Sequence, residues 1–278
     1  MPTFSFQQVD VFATQPMRGN PLAVVIGADG LSDADMQAFA NWTNLSETTF
    51  LLQPTTPDAH YRVRIFTPTQ ELPFAGHPTL GSAHVWLSQA VNAPDGEVVQ
   101  ECGAGLVRIR LDGERLAFAA PPLVRSGPVD PAIVERIARG LNLPDALIKD
   151  ANWVENGPDW IGVLLPSRAD VLAAKADYSI LAGARVGLVG PFDPDLDGTD
   201  AQFEVRAFTR NGYEDPVTGS LNAGLAQWLI GARVAPEHYV AAQGTALGRA
   251  GRVHVEKVGD DIWVGGNVTT CISGTLTL

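Results

Sequence analysis

The sequence has little cysteine, little basic charge and no long apolar run. Its 278 residues include only two cysteines, Cys102 and Cys271, which excludes a disulfide framework and is typical of a cytoplasmic protein. Lysine and arginine number 19 against 31 aspartate and glutamate residues, which gives a formal net charge of -12. Because nucleic acids and anionic membranes bind clustered basic side chains, we expect neither as a partner.

Signals for membranes, export, metals and nucleotides are missing as well. No run approaches the roughly 18 apolar residues of a membrane span, and the N-terminal MPTFSFQQVD does not resemble a secretory signal. The five histidines are scattered, and the two expected on one helix, His77 and His84, are too few for a metal site. The isolated Gly103-x-Gly105 lacks the further glycine and helix of a dinucleotide site. We therefore expect no metal and no organic cofactor.

What the sequence does contain is an internal duplication. The stretch YRVRIFTPTQELPFAGHPTLGSAHVWL, residues 61–87, matches FEVRAFTRNGYEDPVTGSLNAGLAQWL, residues 203–229, with one residue inserted in the second copy. Each copy begins with the alternating pattern of a strand, continues through a loop with proline and ends in a helix. A hairpin signal follows each copy, at 112–113 and around 259–260. The sequence therefore predicts two α+β domains with one element order.

The predicted helices of the two copies are apolar or small on nearly every face, a pattern typical of buried helices. The strands around them are short, alternating and rich in valine and isoleucine. We expect each domain to be a barrel-like, mostly antiparallel sheet around a central helix. The first domain is expected to span residues 1–122 and the second residues 123–266, with the last strand, 267–278, returning to the first.

The start of each buried helix carries candidate chemistry. A helix N-terminus presents unpaired N–H groups and about +0.5 of an elementary charge, so it attracts anions. We expect His77 at the N-cap of the first helix, before Pro78, and Ser220 at the N-cap of the second. If both helix starts face one cleft, a small carboxylate can be held there without a basic patch. Read alone, each stretch is equally an ordinary helix start.

Two carboxylates complete the candidate set, and each has two interpretations. Glu47 lies in NWTNLSETTFLL, between a predicted helix and an apolar strand, and is either a general base or a solvated strand-end residue. Asp215 lies in YEDPVTGS and is either a site residue or part of an Asp-Pro turn. Cys102, in ECGAG, falls just before a hairpin rather than at a helix start. We interpret Cys102 and Cys271 as structural.

Taken together, four stretches resemble the phenazine-biosynthesis PhzF-like proteins of the diaminopimelate epimerase-fold superfamily. They are NLSETTFLL, RIFTPTQELPFAGHPTLGSAHVWL, YEDPVTGSLNAG and QGTALGRAGRVHVE. The resemblance covers nearly the whole chain. It implies a diaminopimelate epimerase-like α+β fold of two pseudo-symmetric domains, an active site in the cleft between them, a homodimer and no cofactor.

The resemblance also implies roles for individual residues. Glu47 corresponds to the catalytic glutamate of the family, and His77 and Asp215 are expected to polarise the substrate or shuttle its proton. The positions expected to bind the substrate are Gly76, Thr218, Gly219 and Ser220. The two helix starts contain no cysteine, so the two-thiol racemisation of other superfamily members is not expected.

The function implied is that of a cofactor-free isomerase of the trans-2,3-dihydro-3-hydroxyanthranilate type, which moves a proton within a small carboxylate. Two alternatives stay open at this point. One is an epimerase or dehydratase acting on an amino or hydroxy acid. The other is a non-catalytic member of the fold that binds a small molecule or a protein.

Overall fold

The computed structural model describes residues 2–92, 94–181 and 183–278. The chain divides into two compact units. Unit 1 comprises Met1–Ala119 and Gly265–Leu278, and unit 2 comprises Ala120–Val264. The last strand begins in unit 2 and has most of its length in unit 1, because it runs from Asp261 to Thr277.

Unit 1 contains two α-helices, α1 (Asp33–Thr43) and α2 (Gly76–Leu87). Its strands, numbered in chain order, are β1 (Thr3–Val11), β2 (Asn20–Ile26), β3 (Thr48–Leu52), β4 (Tyr61–Phe66), β5 (Glu71–Leu72), β6 (Glu97–Cys102), β7 (Gly105–Asp112), β8 (Arg115–Ala119) and most of β17 (Asp261–Thr277).

The strands of unit 1 close into an eight-stranded barrel. Strand β2 is antiparallel to β1 and parallel to β3, and β4 is antiparallel to β3 and parallel to β6. Strands β7 and β8 follow β6 as antiparallel neighbours. Strand β17 pairs with both β8 and β1, so the ring has no free edge. The short β5 is an additional antiparallel partner of β4.

Helix α2 lies inside this barrel, where it contacts six of the strands. Its small residues make that position possible. A Cβ atom added to Gly81 would lie 2.5 Å from the Leu22 side chain and 3.1 Å from those of Val9 and Val11. Protein interiors are packed too densely to absorb such overlap without a shift of the neighbours. The buried central helix predicted from the all-round apolar pattern is therefore confirmed.

Unit 2 contains the helices α3 (Pro131–Gly140), α4 (Arg168–Ala173), α5 (Tyr178–Leu181), α6 (Pro194–Asp197) and α7 (Gly219–Gly231). Its strands are β9 (Arg125–Pro128), β10 (Asp150–Glu155), β11 (Trp160–Leu164), β12 (Arg185–Pro191), β13 (Phe203–Phe208), β14 (Glu214–Asp215), β15 (His238–Gln243) and β16 (Gly251–Val258), with the start of β17.

Unit 2 repeats the pairing scheme of unit 1. Strands β10 and β11 are antiparallel, β11 and β12 are parallel, and β12 and β13 are antiparallel. Strand β13 is then parallel to β15, as β4 is to β6, and β16 is antiparallel to β15. Helix α7 takes the place of α2. A Cβ on Gly224 of α7 would lie 2.4 Å from the carbonyl oxygen of Val154 in β10.

The duplication extends to individual side chains. In unit 1, the guanidinium of Arg64 donates to both carboxylate oxygens of Glu71, each at 2.7 Å. In unit 2, Arg206 donates to both oxygens of Glu214 at 2.9 and 2.7 Å. The arginines hold equivalent positions in β4 and β13, and the one inserted residue lies in the turn before the second glutamate. The predicted internal duplication is confirmed by this repeated pair.

Helices outside the two sheets cover further apolar surface. In unit 1, Phe39 of α1 packs edge-on against Phe50 of β3, with ring centroids 6.3 Å apart. In unit 2, Ile137 of α3 and Leu181 of α5 belong to a buried cluster with strands β10 to β13. Helix α3 starts at Pro131, with Asp130 as its N-cap.

Candidate functional site

Glu47 lies in the short connection between α1 and β3. Helix α1 ends at Thr43, and Asn44 reverses the chain in the left-handed conformation, with φ of 55°. The hydroxyl groups of Thr43 and Thr48 lie 2.9 Å apart and tie the end of the helix to the start of the strand. The connection is therefore tight, and Glu47 lies directly before β3 with 17% of its side chain exposed.

His77 lies two residues further into its helix than the sequence predicted. Helix α2 begins at Gly76, and its N-cap is Ala75, whose backbone is extended. The expectation that His77 is the N-cap was therefore wrong: His77 is the second helical residue, and Pro78 is the third. A side chain at this position points back toward the helix start rather than capping it, because Cβ atoms tilt toward the N-terminus.

The side chains of His77 and Glu47 meet. Nδ1 of His77 lies 3.4 Å from a carboxylate oxygen of Glu47, and the imidazole is only 5% exposed. Burial lowers the pKa of His77 to about 3, an effect that the backbone carbonyl of Pro21 partly offsets. The ring is therefore neutral at pH 7. A neutral imidazole carries one N–H donor and one acceptor nitrogen.

The other ring nitrogen of His77, Nε2, is available for a hydrogen bond. Nε2 of His77 is buried and has no hydrogen-bond partner among the residues that the structure describes. The first turn of α2 also lacks a side-chain cap within the described part of the chain. The N–H groups of Gly76 and His77 therefore remain for other acceptors, whereas Pro78 has no N–H to offer.

In unit 2, Ser220 is likewise the second residue of its helix. Helix α7 begins at Gly219 and has Thr218 as its N-cap, so the expectation that Ser220 caps the helix was wrong. The indole Nε1 of Trp160 donates to Oγ of Ser220 at 3.1 Å, and the side chain of Asn156 donates to the Ser220 carbonyl at 2.9 Å. These two hydrogen bonds fix both the side chain and the backbone of Ser220.

Asp215 is buried in the strand β14, immediately before the loop that leads to α7. One of its carboxylate oxygens accepts a hydrogen bond from the hydroxyl of Thr218 at 2.5 Å. The backbone N–H of Thr218 donates to the side chain of Gln243 at 3.0 Å. Asp215 is thus part of a buried polar network, and not only of an Asp-Pro turn.

The structure groups the candidates by unit. Glu47, His77 and Gly76 lie together at the start of α2. The start of α7 brings together the other candidates, Asp215, Thr218, Gly219 and Ser220. Four polar partners were missed at the sequence level: Asn156, Trp160, Asn222 and Gln243. The one local feature that could have indicated them is a polar residue within an otherwise apolar helix or strand. Most of their hydrogen-bond partners are distant in the sequence, so no local pattern reveals them.

Neither cysteine is placed at a helix start. Cys102 is the last residue of β6, and Cys271 is exposed on β17. Within the described residues, no group of three or more histidine, cysteine, aspartate or glutamate side chains is arranged to hold a metal ion. In the same part of the chain, no helix combines the length and apolar character needed to cross a membrane.

Comparisons with known proteins agree with these features. The sequence model of the phenazine biosynthesis-like proteins, PhzC-PhzF, matches residues 9–274. Antisense-enhancing sequence 1 of Schizosaccharomyces pombe is 35% identical, and the match covers 99% of both chains. The trans-2,3-dihydro-3-hydroxyanthranilate isomerase of Pseudomonas chlororaphis is 32% identical over 97% of this chain and 98% of that enzyme.

Solved structures give the same result. The PhzF-family phenazine biosynthesis protein of Enterococcus faecalis matches with a TM-score of 0.83 and 26% identity over 100% of both chains. A predicted epimerase from Pseudomonas aeruginosa matches with a TM-score of 0.79 and 28% identity over 99% of both. The epimerase-like α+β fold class is confirmed, and the enzyme class is isomerase, as predicted. The chain belongs to the phenazine biosynthesis-like, or PhzF, family.

Proposed function

We propose that the protein moves a proton within a small carboxylate substrate without a cofactor, and that Glu47 is the general acid and base. The observation that carries this proposal is the contact of Glu47 with the buried ring of His77 at the start of α2. A carboxylate that is mostly shielded from water and lies against a buried neutral ring is suited to accept a proton from carbon.

The reaction is balanced without any co-reactant. The Glu47 carboxylate takes a proton from an acidic C–H bond, and the electron pair of that bond moves into the conjugated system of the substrate. The resulting carboxylic acid returns the proton at a second carbon, so that a double bond has migrated and Glu47 is restored. Because one group serves as base and then as acid, the enzyme returns to its initial protonation state.

His77 has a supporting role in this scheme. Its buried ring lies against Glu47, with Nδ1 3.4 Å from a carboxylate oxygen, and its Nε2, which has no hydrogen-bond partner among the described residues, can bind a polar group of the substrate. A protonated imidazole would instead neutralise Glu47 and weaken it as a base. The lowered pKa of His77 keeps the ring in the useful form at pH 7.

The residues at the start of α7 are proposed to bind and polarise the carboxylate of a substrate. The N–H groups of Gly219 and Ser220 lie at a helix N-terminus, where a carboxylate is favoured. The hydroxyl of Ser220 accepts from Trp160 and is left to donate its own proton to that carboxylate. Asp215 is proposed to polarise the substrate or shuttle its proton, and Gly76 and Thr218 to complete the binding groups.

Trans-2,3-dihydro-3-hydroxyanthranilate is the substrate to test first, because relatives that are 32% identical are named for its isomerisation. A second candidate is epimerisation of an amino or hydroxy acid, which the predicted epimerase among the solved structures favours. A homodimer and a cytoplasmic location stay predictions.

The test follows deuterium incorporation from D₂O into this substrate by NMR. For the isomerase, deuterium enters at the carbon that receives the proton while the double bond moves. For an epimerase, it enters at one stereocentre with inversion. The substitution Glu47→Gln keeps the size of the side chain and removes the base, so we expect the rate to fall by about 100-fold or more.

A matched control is Glu97→Gln, in the same unit. Glu97 lies on β6 with 40% of its side chain exposed and only a 3.8 Å contact with Arg108. Its variant should keep the rate of the unmodified protein. Full turnover by Glu47→Gln would overturn the central role of Glu47, and no conversion of this substrate by the unmodified protein would contradict the isomerase itself.

A further inference from the structure

The motif QGTALGRAG, residues 243–251, joins strand β15 to strand β16 and contributes nothing to the chemistry proposed above. Its first residue, Gln243, is the last residue of β15 and is completely buried. A buried amide side chain must find partners for its oxygen and its nitrogen, because leaving either unpaired costs about 1–3 kcal/mol. Gln243 finds all of its partners in the DPVTGSLN segment, residues 215–222.

The hydrogen bonds of Gln243 have fixed directions. Its Oε1 accepts from the backbone N–H of Thr218 at 3.0 Å and from Nδ2 of Asn222 at 2.8 Å. Its Nε2 therefore faces the other side, where it donates to Oγ1 of Thr218 at 3.0 Å and to the carbonyl of Asp215 at 3.2 Å. A backbone N–H can only donate, so the amide cannot be reversed without breaking this set.

This arrangement decides where the Thr218 hydroxyl proton points. Because Oγ1 of Thr218 already accepts from Gln243, its own hydrogen is directed at the remaining neighbour, the Asp215 carboxylate, 2.5 Å away. Hydrogen bonds to ionised groups are shorter and stronger than neutral ones. The orientation of Asp215 thus depends, through one hydroxyl group, on the amide of Gln243.

The glycines of the motif bring its backbone against the same segment. Gly244 has φ of +89°, and a Cβ there would lie 2.7 Å from the carbonyl oxygen of Pro216. A Cβ on Gly251, at the start of β16, would lie 2.5 Å from a methyl group of Val217. Only glycine permits both the left-handed turn and this close approach. The backbone of the motif therefore packs directly against residues 215–218.

We propose that Gln243 is a positioning residue for proton transfer, which holds Asp215 and the first turn of α7 in their working arrangement through Thr218. Gln243 accepts the hydrogen bond of the Thr218 N–H. The next two N–H groups of the chain, those of Gly219 and Ser220, are then available to bind the substrate. The proposal rests on the function proposed above, because it assigns Asp215 to that reaction.

Unit 1 offers a matched comparison within the same chain. Gln100, on β6, is also completely buried, and it donates to Oγ1 of Thr79 in α2 at 3.1 Å and accepts from the Tyr61 hydroxyl at 3.0 Å. It therefore resembles Gln243 in burial and in its link from a strand to the central helix. Among the described residues, neither of these hydrogen bonds reaches a residue proposed for binding or catalysis.

The test compares kcat and KM of the variants Gln243→Leu and Gln100→Leu on trans-2,3-dihydro-3-hydroxyanthranilate. Small misplacements of catalytic groups cost up to about 100-fold, so we expect kcat to fall by about 10-fold to 100-fold for Gln243→Leu. The Gln100→Leu variant should stay within about twofold of the unmodified protein, with a comparable loss of thermal stability.

A third variant, Gln243→Glu, keeps the size of the side chain and serves if Gln243→Leu does not fold. Its ionised carboxyl group cannot donate to Thr218, so the hydroxyl of Thr218 turns away from Asp215. Its protonated form regains a donor. We therefore expect the ratio of its rate to that of the unmodified protein to rise as the pH falls, which a purely structural role would not produce.

The outcomes separate this inference from the proposed function. Absence of turnover by the unmodified protein contradicts the proposed function, and with it this inference. Turnover by the unmodified protein together with equal kcat values for Gln243→Leu and Gln100→Leu overturns this inference alone, as does a rate ratio for Gln243→Glu that does not change with pH.

Discussion

Nδ1 of His77 lies 3.4 Å from a carboxylate oxygen of Glu47, at the start of a helix that is enclosed by a barrel. The contact links two segments that are thirty residues apart and belong to different elements. A buried imidazole beside a carboxylate has an electrostatic consequence that can be measured without any substrate. Burial favours its neutral form, so folding is coupled to the loss of a proton from this ring.

The first prediction is that His77 makes the protein sensitive to mild acid. The pKa of His77 is lowered from 6.5 to about 3 in the folded state. Between these values the unfolded chain binds a proton that the folded protein does not, so stability is complete above pH 6.5 and decreases as the pH falls. From pH 7 to pH 5 the loss from this residue is about 2 kcal/mol. Urea unfolding of wild type and His77→Gln at both pH values measures it.

The control for this prediction is His238→Gln. The ring of His238 is mostly exposed, on strand β15 of unit 2. Its variant should show the same pH dependence as the wild type, whereas His77→Gln should show a shallower one. Identical pH dependence for all three proteins would mean that the buried ring is not neutral in the folded state.

A second prediction concerns the thiols. Neither Cys102, at the end of β6, nor Cys271, on the exposed part of β17, lies at a helix start. The double variant Cys102→Ser and Cys271→Ser should therefore keep kcat within about twofold, because neither thiol belongs to the groups proposed for proton transfer. Deuterium exchange into the substrate measures this. A loss as large as that expected for Glu47→Gln would instead support thiol chemistry.

The third prediction tests how tightly α7 is enclosed. Two glycines of this helix, Gly224 and Gly231, differ in their surroundings: a Cβ on Gly224 would lie 2.4 Å from the Val154 carbonyl oxygen, whereas one on Gly231 meets nothing within 4 Å. Gly224→Ala should cost about 1–3 kcal/mol through overpacking. Gly231→Ala should be neutral or stabilise by up to about 1 kcal/mol, since alanine favours helix. Thermal unfolding measures the stability of both variants, and equal changes in stability would contradict the enclosure of α7.

The positions of the glycines explain why the duplication and the enclosed helices could be predicted from the sequence. The repeated spacing of Gly76 and Gly81 with Gly219 and Gly224 revealed the duplication, and apolar or small residues on every helix face predicted the enclosed helices. These features are local or repeat at a fixed distance. They depend on steric requirements that glycine and alanine meet and that larger residues do not.

The details of the candidate site follow from contacts that no local pattern encodes. Both helix starts were placed two residues late, because the N-caps are Ala75 and Thr218, which make no side-chain capping hydrogen bond. Capping preferences describe helices whose first N–H groups are satisfied by a side chain. Gln243 was overlooked for a related reason: its partners lie 21 to 28 residues away in the sequence.

The last prediction uses the two copies of one ion pair as mutual controls. Arg206 and Glu214 are each 8% exposed, and Arg206 also donates to the carbonyl oxygens of Val171 and Ala174. In the other copy, Glu71 is 41% exposed beside Arg64. Arg206→Met leaves a buried carboxylate without its partner and should cost about 3–5 kcal/mol. Arg64→Met should cost about 0–1 kcal/mol, because water can solvate Glu71.

Urea unfolding of both variants measures this difference, and equal losses would show that the two pairs are equally solvated. The double variant Arg206→Met with Glu214→Met adds a stricter test. Replacing both members of a buried pair by apolar side chains removes the uncompensated charge, so it should recover most of the stability that Arg206→Met loses. Failure to recover would indicate that the hydrogen bonds from Arg206 to the carbonyl oxygens of Val171 and Ala174, rather than its pairing with Glu214, account for the cost.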